Sequence, residues 1–462
     1  MSNQAIGGMQ QASLSQSKVL PFSGFLTALF QAFENEGLQP CILRNYEGFP
    51  VHNVGGDIDF LVRPSELPRA IRALRSIQGI RVVGYTERPY VASVYLAGTA
   101  ADSGGRSLQV DFDLSLSWKG LPYLPIDAVL RAMIPVRTGH LNFFVPSPVD
   151  EAITSLLTSL LAAGCLKEKY FTRVQQTFAA DRLGAIAALR QQFGLKASSR
   201  LVDSVIESDR GKVLACVGPL RRALALRSLL RTPVRSVLDI SRHYGREFAI
   251  RFSPRSLETV SIIGSDACGG TNVVEGLMPL LQSAAKFVER RDLGVEWSFG
   301  RERSGNGSYS NSGGAASRGP LTYVTKVIPY LVKEWLDRFS GRKNLTLRIY
   351  EGYYHVGVVD PGRYRYKGPT WFAVVIGSLI PSPDLWILLD LPTDAVQSRN
   401  LLTAAANAHA HAEARRAFVK TRRRFAILDA NHSSSCVLEG AYCAIIDMLA
   451  ERAERQLESR FQ

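Results

Sequence analysis

The sequence predicts an α/β multidomain protein: a mixed α/β domain over 19–145, a helical, Arg-rich connector over 146–255, and a doubly wound parallel-sheet domain over 256–462. Three observations predict it. Short apolar strands alternate with helical patterns in the first segment, helical spacing fills 147–205, and strand–helix alternation resumes after residue 256. At 462 residues the chain is long enough for about three separate cores.

Taken in order, residues 1–18 (MSNQAIGGMQQASLSQSK) are polar and lack an apolar h-region, so they read as a disordered lead rather than a signal peptide. A helix is expected near Phe22–Asn35, then strands at Cys41–Arg44, Ile58–Val62 and Leu108–Leu114. The stretch SPVDEAITSLLTSLLAAGCLKEKY opens on Ser147 as a cap and keeps helical apolar spacing, with further helix through Phe193. Over 211–255, Pro219, Pro233 and Pro254 suggest short helices and a linker. The last segment offers strands at Val260–Ile263, Leu345–Tyr350, Leu385–Leu389 and Phe425–Leu428, and a final helix over about Val437–Leu457. Residues 301–319 are Gly/Ser-rich and read as a mobile loop.

Composition excludes several classes. Hydrophobic residues make up 46% and charged residues 21%, as in ordinary globular proteins. No apolar run reaches the roughly 18 residues that a membrane span needs. Cys41, Cys165, Cys216, Cys268, Cys436 and Cys443 are scattered without a CxxC pair, which fits a reducing cytoplasm and neither a disulfide framework nor a zinc site. The net charge of +14 is uneven: Arg221, Arg222, Arg227, Arg231, Arg235, Arg242, Arg246, Arg251 and Arg255 crowd one segment. Such a field favours phosphate-bearing ligands, acidic polymers or an anionic membrane surface, so peripheral membrane association is one expectation. A solvated basic helical connector is the plainer one. No nucleic-acid-binding motif accompanies the charge.

Two motifs carry chemistry. In VGGDIDFLV, Asp57 and Asp59 stand two apart on a predicted strand, which points both carboxylates to one face, just after a Gly55-Gly56 turn. Asp111 and Asp113 form a second such pair in LQVDFDLSL. Carboxylates converging across adjacent strands make a Mg²⁺ site suited to phosphoryl or nucleotidyl displacement. The second motif is TVSIIGSDACGGT, a strand leading to Gly264 and, four residues on, to Gly269, Gly270 and Thr271. A P-loop reads G-x-x-x-x-G-K-[ST]; here Gly270 stands in the place of the lysine. The amide nest is retained in pattern and the point charge is lost.

The first motif, with LRNYEGFP before it and VDFDLSLSWKGLPYL after it, resembles the uncharacterised bacterial branch of the nucleotidyltransferase superfamily over roughly the first 200 residues. The resemblance implies that Gly55 and Gly56 form the turn, that Asp57 and Asp59 are the metal-binding pair and Asp111 the third carboxylate, with Asp113 the alternative. Gly56 stands where many relatives have Ser. Arg44, Asn45, Lys119, Lys167 and Lys169 are candidate contacts to an anionic substrate, or plain surface residues.

From Val260 onward the chain resembles thymidylate-kinase-like P-loop proteins, especially those fused to such domains in polysaccharide gene clusters. Gly264, Asp266, Gly269 and Thr271 match the loop, while Ser265, Ala267, Gly270 and Asn272 depart from it. In IYEGYYHVGVVDPGRYRYKGP the tail matches through Asp360, Pro361, Arg363, Tyr364, Arg365, Tyr366, Gly368 and Pro369. The core departs: Glu351 replaces an Asp, Gly352 an Arg and Val356 a second Asp. Asp384, Asp390 and Arg399 match further on, and Arg399 is a candidate nucleotide contact. Losing both cations removes the charge neutralisation on which phosphoryl transfer depends.

These readings combine into a Mg²⁺-dependent nucleotidyltransferase-like protein with a degenerate nucleotide-kinase-like domain. Its expected partners are a nucleotide and a phosphate-bearing or acidic substrate. The family resemblance implies a place in surface polysaccharide biosynthesis. Two alternatives stay open: a catalytically inactive binding or scaffold protein (a pseudokinase), and an atypical small-molecule kinase with a relocated cation such as Arg301, Arg363 or Arg399.

Overall fold

A computed structural model describes residues 22–51, 56–98, 107–252, 257–265, 268–282, 284–292, 332–337, 345–355, 369–391 and 405–461. The expected polar lead, Gly55, and the Gly/Ser-rich 301–319 segment lie outside the described residues. The protein is an α/β multidomain chain with one mixed sheet and one all-parallel sheet.

The first half opens with α1 (Phe22–Asn35), whose Phe25, Leu26, Leu29 and Phe33 face one core. Its strands are β1 (Cys41–Ile42), β2 (Asp57–Leu61), β3 (Ile80–Arg88), β4 (Val91–Gly98) and β5 (Ser107–Asp113), with α2 (Leu67–Arg75) between β2 and β3. A small hairpin of β6 (Leu116–Trp118) and β7 (Leu121–Leu124) follows, then α3 (Ile126–Arg131), β8 (Ile134–Thr138) and β9 (Leu141–Val145). The sheet order is β3–β4–β5–β2–β1–β9–β8. Within it β2 and β5 run parallel, with Asp59 beside Asp111. Period-two alternation then sends Ile58, Phe60, Val110 and Phe112 into the core beneath α1 and α2, and Asp57, Asp59 and Leu61 to the other face.

That other face is where the helical segment packs. Helices α4 (Pro148–Ala163), α5 (Glu168–Ala180), α6 (Arg182–Phe193), α7 (Leu195–Ile206), α8 (Arg210–Ala215) and α9 (Val217–Arg231) bury Leu157, Phe178, Leu189, Leu201 and Leu224 together with Cys41, Leu43 and Leu61 of the sheet. Helix α4 starts as expected, with Ser147 Oγ accepting from the Asp150 amide at 3.3 Å. The region expected as a connector therefore shares its core with the first sheet. Pro254 lies outside the described residues, and neither of the other two prolines breaks the segment: Pro219 lies in the first turn of α9 and Pro233 opens α10 (Pro233–Phe252), positions where the missing N–H costs no helical bond.

The second half contains β10 (Leu257–Gly264), α11 (Gly270–Leu281), β11 (Phe287–Asp292), β12 (Thr346–Glu351), α12 (Thr370–Leu379), β13 (Leu385–Asp390), α13 (Ala405–Lys420), β14 (Phe425–Asp429) and α14 (Ser434–Phe461). Its strand order is β11–β12–β10–β13–β14, every pair parallel. Helices cover both faces: α11 and α14 bury Val274 and Ile445 against Val260, Ile349 and Ile387, while Phe418 of α13 meets Trp386 from the opposite side. The chain leaves central β10 for one flank and returns past it from β12 to β13. The crevice at the carboxyl ends of β10 and β12 is thus a topological switch point. Strand β11 was not expected; its sequence FVERRD is too charged to read as sheet.

Helix α14 belongs to both halves. Its Tyr442, Ile445 and Leu449 lie in the second core, whereas Ala453 and Leu457 lie in the first. It runs along edge strand β3, where Arg81 pairs with Asp447, Arg460 with Glu87 at 2.7 Å, and the Tyr442 hydroxyl donates to the Gly98 carbonyl at 3.1 Å. Covering an edge strand also blocks its pairing with another chain. Replacing buried Leu457 by Ala should cost about 2–4 kcal/mol. Denaturant unfolding checks this, and a change below about 0.5 kcal/mol would mean that α14 is not part of the first core.

Candidate functional site

Asp57, Asp59 and Asp111 each offer a carboxylate oxygen, and these atoms lie within 4.8 Å of one another. The parallel β2–β5 register places Asp59 beside Asp111, and strand period two adds Asp57 on the same face. Gly56, immediately before, has φ +77°, which fits the expected turn. Asp59 and Asp111 are buried and Asp57 is half-buried.

The cluster is partly neutralised. Arg44 Nε donates to Asp59 Oδ2 at 2.7 Å, and Asp111 accepts from Gln109 Nε2 at 2.8 Å and from Arg88 at 3.4 Å. Burial and the neighbouring Asp59 and Asp111 charges push the Asp57 carboxyl upward. Asp113, beside Leu61 in the register, is pushed up to about 7 by burial and then by Asp59. Among the described residues, four carboxyl groups, that of Asp113 pushed up to about 7, therefore face two guanidiniums and, near Asp111, the Lys286 ammonium. A hard oxygen donor set with unbalanced negative charge fits a divalent cation such as Mg²⁺.

The other residues singled out by the sequence fall variously. Asn45 accepts from the Tyr170 hydroxyl at 3.0 Å, and the Lys169 ammonium sits 4.7 Å from the Tyr170 ring centroid. Lys167 precedes α5, and Lys119 lies over the rings of Trp118 and Tyr244. A small cavity of about 80 Å³ adjoins this region, lined by Tyr46, Glu151, Tyr170 and Arg173 among others. There Arg173 donates to Glu151 at 2.9 Å.

At the second motif, β10 ends at Gly264 and α11 starts at Gly270, with Gly269 at φ +69°. Asp266 and Arg399 lie outside the described residues, as do Arg301, Arg363 and the 356–368 stretch. Gly264, Gly269, Gly270 and Thr271 form a strand-to-helix turn whose first helical amides favour an anion. Facing it, however, is a carboxylate: the Thr271 hydroxyl donates to Glu351 at the end of β12. Arg290 of β11 bridges Glu351 at 2.9 Å and Glu275 at 3.1 Å. Arg290 is the cation that sequence reasoning missed, because its strand was not recognised. Its place beside Ile349 in the parallel register is set by tertiary pairing and has no counterpart in the local sequence pattern.

Gly352, which stands where the kinase-like resemblance expects Arg, has φ +76° and donates its amide to the Ile262 carbonyl at 2.8 Å, a conformation in which an arginine would be strained. Asp384 accepts from the amide and hydroxyl of Thr259, both at 2.8 Å, and fastens β13 to β10. Asp390 is held by Arg416 Nε at 2.7 Å.

No protein-family model and no curated protein matches the sequence. Among solved structures the chain is similar to a deoxyadenosine kinase from M. mycoides and to thymidylate kinase from Candida albicans, each 13% identical. Both alignments take in 44% of this chain and 98% and 92% of the kinases, with TM-scores of 0.25 and 0.27. Neither activity nor substrate is carried over from them.

The raised Asp113 carboxyl gives a pH prediction. Its folded value of about 7 exceeds the ordinary 3.8, so ionising it opposes folding, and stability is lost as pH rises from near 4 through 7. Asn cannot ionise. In buffer free of divalent ions, Asp113→Asn should melt above the native chain at about pH 8 and close to it at about pH 4. Equal melting at both would show that Asp113 keeps an ordinary carboxyl.

Proposed function

We propose that the chain is a Mg²⁺-dependent nucleotidyltransferase whose second half binds a nucleotide or phosphate-bearing substrate without transferring its phosphoryl group. The observation that carries this reading is the convergence of three carboxylate oxygens from two adjacent strands within 4.8 Å. Magnesium held there would stabilise charge on the phosphoryl oxygens during displacement. Asp57, Asp59 and Asp111 would hold it. Arg44 orients Asp59, while Gln109 and Arg88 orient Asp111. The family resemblance alone suggests a role in surface polysaccharide assembly.

For the second half, binding rests on the strand-to-helix amides, and the side-chain charge argues against catalysis. Thr271, the residue that would meet a metal in a working P-loop, is engaged by Glu351. Arg290 is itself held between two glutamates. One further reading is a scaffold with two degenerate sites, supported by the arginines already paired to Asp59 and Asp111.

The first test uses Asp57, which is half-buried. Asp57→Asn should keep the melting temperature within a few degrees and weaken Mg²⁺- or Mn²⁺-dependent triphosphate binding at least about tenfold. Asp59→Asn is the less clean variant, because it removes the charge that Arg44 pairs with and so changes stability as well as metal binding. Unchanged metal-dependent binding in Asp57→Asn would place that binding outside the acidic cluster, and no metal-dependent binding by the native chain favours the scaffold reading.

A second test restores the missing charge. Among the described residues a Cβ at Gly270 meets only Leu389 Cδ1 at 3.9 Å, so a Cβ is accommodated there. Gly270→Lys should tighten triphosphate binding in calorimetry without giving phosphoryl transfer, since Gly352 still lacks the guanidinium. Phosphoryl transfer by the native chain, lost in Thr271→Ala, would overturn the binding-only reading.

A further inference from the structure

Helix α10 is turned inside out relative to an ordinary surface helix. Toward the body it buries polar groups: His243 stacks on Tyr90 at 5.5 Å and the Ser236 hydroxyl donates to the Ser228 carbonyl at 2.9 Å, while exposed Arg246 donates to the Pro89 carbonyl at 3.0 Å. Gly120 lets the β6–β7 turn approach closely, since a Cβ there would lie 2.5 Å from the Asp239 carbonyl oxygen. The opposite face carries Val234, Val237 and Leu238, at i, i+3 and i+4, which are 72%, 53% and 48% exposed. The end of α9 extends the same apolar tip with Leu226 and Leu230, 61% and 74% exposed.

The rim is basic. No Asp or Glu occurs between Asp209 and Asp239. Arg221 and Arg231 are spent holding the hairpin, donating to the carbonyls of Leu161 and Gln191. Arg235 and Arg242 share Asp239 while remaining 83% and 73% exposed. Arg222 is exposed on α9.

We propose that the α9–α10 tip docks peripherally on an anionic lipid surface, with the aliphatic cluster entering the headgroup boundary and Arg222, Arg235 and Arg242 meeting lipid phosphates and carboxylates. Basic residues flanking an exposed apolar stripe are the physical signature of an interfacial helix. Charge complementarity selects this occupant. A second copy paired on the same face would bring arginines against arginines. Nucleic acid would use the arginines but leave the aliphatic cluster unexplained; the exposed aromatic side chains of α10, Tyr244 and Phe248 at 47% and 65%, lie about two and three turns beyond Val237. Among the described residues no helix is long and apolar enough to cross a membrane, so the contact is a surface one.

The test is flotation of the full chain with vesicles of phosphatidylcholine alone or mixed with phosphatidylglycerol. The native chain should float with the anionic vesicles, less so at high salt, and not with neutral ones. Val234→Asp with Val237→Asp, and separately Arg222→Glu with Arg235→Glu, should each weaken flotation at least about tenfold while leaving the melting temperature unchanged. These side chains are exposed, so folding is not at stake. Flotation unaffected by either pair would place any lipid contact elsewhere and overturn the proposal. So would absence of flotation, whether sedimentation then shows a dimer that Val234→Asp dissolves, RNA binding through the arginines, or a monomer with no ligand.

Discussion

The acidic site depends on one constraint, the parallel register of β2 with β5. Asp59 lies beside Asp111 only because Phe60 lies beside Phe112 on the reverse face, their rings 5.9 Å apart, with Phe33 packed against both. A slip of one residue would turn the phenyl rings outward and the carboxylates into the core. Each buried ring contributes about 1.5–3 kcal/mol, which resists such a slip more strongly than the mutual repulsion of the acids favours it. The aromatic side of the sheet therefore holds the carboxylates together, and Arg44 and Arg88 lower the cost of keeping them there.

The second half shows a different balance. Its strand-to-helix turn lies at the switch point of a parallel sheet, a place where backbone geometry favours an anion. Side-chain charge there opposes one: Glu351 holds the Thr271 hydroxyl, and Arg290 is divided between Glu351 and Glu275. The two halves are nonetheless one physical object. Helix α14 closes the second core with Tyr442 and Ile445 and the first with Ala453 and Leu457. Cutting the chain between its halves would strip the first sheet of an edge cover.

Much of this was legible in the sequence. The strands bearing Asp57, Asp59 and Asp111 announced themselves by alternation, and the Gly264–Thr271 turn by its glycines. What escaped was set by tertiary context. Strand β11 reads as a charged loop because it lies at a sheet edge, where Glu289 and Arg290 find partners on β12 and α11. The helical segment read as a connector because Leu157, Phe178 and Leu189 are apolar without saying against what; the answer is the acid-bearing face of the first sheet. Pro219 and Pro233 read as breaks, although each falls in a first helical turn. Arg290 followed its strand into obscurity, and with it the ion pairs to Glu351 and Glu275 beside the strand-to-helix turn.

The most direct measurement is an electron paramagnetic resonance titration of Mn²⁺ into the full chain, with and without a nucleoside triphosphate. A metal site at Asp57, Asp59 and Asp111 predicts saturable loss of the free-ion signal at one or two ions per chain, beyond the loss that the nucleotide alone causes, tightened by the nucleotide and weakened at least about tenfold in Asp57→Asn. A free-ion signal that the native protein leaves unchanged, with nucleotide present, would contradict it and leave the three carboxylates as a buried ion-pair network.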